Sequence, residues 1–65
     1  MQIDLNGTRI ETAAPTLAAL IEERGLATDS VATALNGTFV PRLHRADTPL
    51  TDGARVEILS PMQGG

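Results

Sequence analysis

The chain has no cysteine, no lysine, no tryptophan and no tyrosine. Each absence removes a class of function. Without cysteine there is no disulfide to brace a small fold, no thiolate metal ligand and no thiol nucleophile. Without lysine, all five basic side chains are arginines, and eight carboxylates leave a formal net charge of −3. Such a domain gains no counterion-release energy from a phosphate backbone, so nucleic acid is not an expected partner. Phe39 is the only member of the Phe/Trp/Tyr set, which removes the stacking platform of single-strand binders. No apolar run approaches the roughly 20 residues of a membrane-spanning helix. The N-terminus lacks the basic-then-apolar pattern of a signal peptide. A reducing, cytoplasmic location without membrane association is the expectation.

What remains is an aliphatic domain of 65 residues, 42% hydrophobic, a size at which folding has little margin. "MQIDL" alternates Met1, Ile3 and Leu5 with polar residues, placing three side chains on one face of a strand over about 2–6. Asn6-Gly7 suits a type I′ turn, in which both positions take φ > 0, and a second strand returns over about 8–12. Thr16 is the predicted N-cap of a helix over about 16–24, with Leu17, Leu20 and Ile21 as its buried stripe and Gly25 just past its end. Val31, Thr33 and Leu35 share a strand face. Asn36-Gly37 turns the chain again, and Thr38 to Val40 form a brief strand stopped by Pro41. Residues 42–54 read as loop, with one 3₁₀ turn near Leu43–Ala46 and a tight turn at Asp52-Gly53. Val56 and Ile58 alternate inward against Arg55 and Glu57 on a last strand that reaches Leu59. The order ββαββ–loop–β, with the last strand entering the sheet centre beside the first, predicts an α+β fold: a ubiquitin-like β-grasp, a mixed sheet of four to five strands on one helix. The domain is expected over 1–60, followed by a flexible tail over 61–65 that ends in Gly-Gly.

The side chains offer little chemistry. His44 is the only histidine, and it reads as a surface residue rather than a general base because no cleft or partner group is evident. Asp47 and Asp52 stand beside turn residues and read as turn formers rather than an acid pair. No spacing matches a metal site. No catalytic residue, metal ligand or bound cofactor is expected. Arg42 has two readings, a solvated arginine or a group in partner contact and tail-side electrostatics. The tail "PMQGG" differs from the rest. Met62 and Gln63 are uncharged, and Gly64 and Gly65 lack a Cβ, so they fit a channel too narrow for other residues. A terminal carboxylate becomes an electrophile only when activated, for example as an acyl-adenylate, and the nucleotide site for that step must come from a partner.

"ALNGTFVPR", "TPLTDGARVEIL" and "PMQGG", taken together, resemble the ThiS family, sulfur carrier proteins of thiamine thiazole biosynthesis. The resemblance covers essentially the whole chain. It implies a protein co-substrate rather than an enzyme. By family motif, the Gly65 carboxylate would be adenylated by a ubiquitin-activating-like enzyme that uses ATP and magnesium. A cysteine-desulfurase relay would supply sulfur to form a thiocarboxylate, and thiazole synthase would take that sulfur. Gly64, Gln63 and Met62 would be recognised with the tail, and Phe39, Pro41 and Arg42 are assigned to partner contact. The composition agrees: without cysteine, no side-chain thiol can carry sulfur. Two positions depart from the family. Many relatives carry an aromatic residue, often tryptophan, at the position of Arg45, a change expected to alter the surface offered to a partner. Many carry an acid at Ala54, expected to be a neutral change in a turn. The other readings of the chain are the small subunit of molybdopterin synthase, a ubiquitin-like protein modifier, and a plain β-grasp binding module.

Overall fold

In the computed structural model, which describes residues 1–60, five strands form a single sheet in the order β2-β1-β5-β3-β4. The strands are β1 (Gln2–Leu5), β2 (Thr8–Glu11), β3 (Ala32–Leu35), β4 (Thr38–Val40) and β5 (Arg55–Leu59). A helix, α1 (Leu17–Glu23), covers one face, and two 3₁₀ segments, Thr28–Ser30 and Arg42–Asp47, lie in the connections. β5 runs parallel to β1 and antiparallel to β3, so the last strand is central, as the crossover argument predicts. The chain is the ubiquitin-like β-grasp. The tail residues Pro61 to Gly65 lie outside the described residues.

Local chemistry explains the elements. Both Asn-Gly pairs have φ > 0 at both positions, with Asn6 at 52° and Gly7 at 85°, and Asn36 at 50° and Gly37 at 85°. That is the backbone a two-residue turn needs to match strand twist. The Thr16 hydroxyl accepts from the Ala19 N–H at 3.2 Å and so caps α1. At the other end Gly25 (φ 68°) lets the Leu26 N–H reach Ile21 O at 3.1 Å and its own N–H reach Glu22 O at 3.0 Å. This pair of bonds is the Schellman arrangement that uses up the last carbonyls.

Leu17, Leu20 and Ile21 from α1 meet Ile3, Val40, Val56 and Ile58 from the sheet in the core. Leu50, Ala14 and Ala54 complete it from the connections. The segment read as loop is thus partly structural. Pro49 bridges Thr16, the Leu17 N–H donates to Thr48 O at 2.9 Å, and the Leu50 N–H donates to Pro15 O at 3.0 Å. These bonds satisfy an orphan amide at the helix start and drive Leu50 under the helix. The 3₁₀ turn expected near Leu43–Ala46 is present and longer, at Arg42–Asp47. Ala54 corrects the expectation of a neutral turn position. It is buried in the core, where an acidic side chain would have to be desolvated.

Candidate functional site

Alternation along β5 sends Val56 and Ile58 into the core and Arg55, Glu57 and Leu59 to the face away from the helix. The same face receives Ala32 and Ala34 from β3, since Ala32 stands opposite Leu59 and Ala34 opposite Glu57. Phe39 on β4 stands opposite Ala34 and joins them. The outer sheet face is therefore divided. At the β3–β4 side it is apolar, with Phe39 64% exposed and Leu59 66% exposed. Toward β1 and β2 it is charged, where Arg9 stands opposite Asp4 and Asp4 opposite Arg55. Phe39 and Leu59 thus form a small exposed apolar patch beside the charged half of the face.

Two shallow depressions flank Leu59. One, of about 140 Å³, lies on the outer face between Phe39, Ala32, Ala34 and Leu59, with Thr33 and Glu57 at its margin. The other, of about 380 Å³, runs between the segment Asp29–Ala32 and the end of β5 at Leu59 and Ser60. Ser60, the last described residue, lines the larger of the two.

Phe39 sits in the apolar half of this face. Arg42 opens the 3₁₀ helix Arg42–Asp47 and is ion-paired with Asp29. Pro41 is exposed and connects the two, holding φ −61° at the start of that helix. Met62, Gln63, Gly64 and Gly65 lie outside the described residues. His44 and Asp47 are exposed on the 3₁₀ helix. Asp52 accepts from the Gln2 N–H at 2.8 Å, which ties its turn to β1. Among the described residues, no group of three or more His, Asp or Glu is placed to hold a metal ion, and no helix is long and apolar enough to cross a membrane.

One feature of this site goes beyond the sequence expectations and another departs from them. Leu59 was readable: it continues the outward phase of Arg55 and Glu57 but is apolar. Arg45 corrects an expectation. It is only 3% exposed, so a change there acts on the interior and not on the outer surface. Its Nε donates to Thr33 Oγ1 at 3.0 Å, one terminal nitrogen donates to Thr28 O at 3.0 Å, and the other to Val31 O at 2.6 Å. The planar fork of an arginine serves three acceptors that a lysine cannot reach together. Burial, and after it the nearby Arg42 charge, lowers the Arg45 pKa from the ordinary arginine value.

The comparisons with known proteins agree with the fold. The family model described as ThiS family matches residues 3–65. A crystal structure of a thiamine biosynthesis protein (ThiS) from Geobacter metallireducens superposes with a TM-score of 0.83, at 29% sequence identity, covering 100% of both chains. A solution NMR structure of a thiamine biosynthesis protein from Geobacter metallireducens gives a TM-score of 0.84 at 28% identity, covering 100% of this chain and 88% of that one. Among proteins of curated function, none matches the chain.

Proposed function

This chain belongs to the ThiS family, and from that membership we propose that it is the sulfur carrier of thiamine biosynthesis, a protein co-substrate rather than an enzyme. The observation that carries the proposal is the family match, which runs from residue 3 to Gly65 and so includes the Gly-Gly end. By the family's motif, the reacting group is the carboxylate of Gly65.

The chemistry follows in three steps. The Gly65 carboxylate attacks the α-phosphorus of ATP held with magnesium by an adenylating partner. Pyrophosphate leaves, and the carboxylate becomes a mixed anhydride whose carbonyl carbon is electrophilic. A persulfide of a cysteine-desulfurase relay then attacks that carbon and AMP departs, leaving an acyl disulfide. A second thiol of the relay attacks the relay-side sulfur, so that a relay disulfide forms and the thiocarboxylate is released. Thiazole synthase receives the sulfur. The carrier itself binds no cofactor in this scheme.

The domain's own part is delivery. The exposed pair Phe39 and Leu59, with Pro41 and Arg42, supplies a mostly apolar docking face. That face sits beside Ser60, so a partner that grips it holds the start of the tail. Apolar contact fits an acidic domain, because it needs no charge match on the partner. The test is pyrophosphate exchange into ATP by the adenylating enzyme. Exchange that requires this chain, and is lost when the Gly65 carboxylate is amidated, supports the proposal. Exchange that proceeds equally with the amidated chain rejects it.

A further inference from the structure

The depression beside Ser60 has one wall made of a segment with few bonds of its own. Residues Asp29 to Ala32 line it, and the 3₁₀ turn Thr28–Ser30, which overlaps the start of this wall, has no side-chain cap. Two arginines of the next 3₁₀ helix hold this segment. Arg42 pairs with Asp29 at the surface, and Arg45 donates from the interior to the carbonyls of Thr28, just before the wall, and of Val31 within it. The third bond of Arg45 goes to Thr33 Oγ1, whose proton is already given to Val40 O at 2.8 Å. The guanidinium is therefore anchored to β3 and β4 and clamps the segment onto the sheet.

We propose that Arg45 is a positioning residue: by fixing Thr28–Val31 it sets the wall that the activating partner meets beside Ser60. This rests on the reading of the chain as a carrier activated by a partner. The surface pair alone is a weak tether, since exposed ion pairs are screened and cost side-chain entropy. The fork is the stronger hold, because its bond to Thr33 is buried and its two carbonyl bonds are partly shielded from water. A lysine at this position keeps the charge but has a single point of donation, so it secures one carbonyl and releases the other.

Arg45→Lys is compared with the unchanged chain in two measurements. The first is amide exchange at Ser30, whose N–H is bonded to Ala27 O within the clamped turn. The second is KM and kcat for adenylation. Exchange at Ser30 is expected to rise while that at Leu20 and Ile58 does not, and KM for the chain is expected to rise by about five- to tenfold with kcat nearly unchanged, the signature of lost docking. Ile3→Val, a mild core change on β1, is the control and leaves KM unmoved. If Arg45→Lys does not fold, Thr33→Val takes its place, since it removes the hydroxyl that orients Nε, and the same two changes are expected. The proposal is overturned if Ser30 exchange rises without a change in KM, if Ser30 exchange is unaltered, or if Ile3→Val raises KM equally. An unchanged chain that is never adenylated would overturn the carrier reading instead, and amide exchange would still report on the clamp.

Discussion

The side-chain amide of Asn6 takes the place of a neighbouring strand for Ile58: its Nδ2 donates to Ile58 O at 3.0 Å and its Oδ1 accepts from the Ile58 N–H at 2.9 Å. β1 ends at Leu5, where the chain turns, while β5 continues to Leu59. The amide extends the β1–β5 ladder beyond the end of β1. Across the sheet, Asn36 plays a smaller part of the same kind, accepting from the Arg55 N–H at 2.9 Å. Both turn asparagines thus have a tertiary role as well as a local one.

Asn6→Gly keeps the positive φ the turn requires and removes the amide. Two half-buried backbone groups of Ile58 then lose their partners, at about 1 kcal/mol each. A loss of about 2 kcal/mol is expected in urea denaturation, and about half as much for Asn36→Gly. Equal small losses for both would show that these residues serve only their turns.

Arg45→Met removes three hydrogen bonds and a buried charge together. The guanidinium has no carboxylate within ion-pair distance among the described residues, so removing it strands no opposite charge. The expected loss is about 1–3 kcal/mol, below the about 3–5 kcal/mol typical of breaking a buried ion pair. Chemical denaturation measures it, and a gain in stability would contradict the bonding described.

Leu20 is fully buried in the stripe of α1 that meets the sheet. Leu20→Ala is expected to cost about 2–5 kcal/mol. A chain of this length has a total of about 3–10 kcal/mol, at roughly 0.05–0.15 kcal/mol per residue. Thermal melting followed by circular dichroism should therefore show the midpoint lowered by at least about 8 °C.

Phe39→Ser and Leu59→Ser change exposed side chains, so stability should move by no more than about 0.5 kcal/mol. The double variant is expected to raise KM for adenylation by at least about tenfold, because exposed apolar anchors carry much of an interface's energy. An unchanged KM would place the docking surface elsewhere.

Most of the fold was readable because its signals are local. Asn-Gly turns, the Thr16 cap, Gly25 and the period-two alternation of β5 each act within a few residues. The central place of β5 followed from the topology. What escaped was non-local. Arg45 looks like any surface arginine in sequence, and only the approach of Thr28, Val31 and Thr33 makes its burial tolerable. Leu50 and Ala54 enter the core because Thr48 and Pro49 pair with the helix start, a contact with no periodicity to announce it. For the proposed docking face, Phe39, Pro41 and Arg42 came from the family resemblance, whereas the exposure of Leu59 depended on seeing which phase of the strand it occupies.

The central claim is that the Gly65 carboxylate is the reacting group. Mass spectrometry of the intact chain tests it most directly, after incubation with the adenylating enzyme, ATP, magnesium and a desulfurase-derived sulfur source. The account predicts replacement of one oxygen by sulfur, localised to the C-terminal peptide, dependent on ATP, and lost when Gly65 is deleted. Sulfur found elsewhere in the chain, or a C-terminus that remains a plain carboxylate while the unchanged chain is bound by its enzyme, would contradict it.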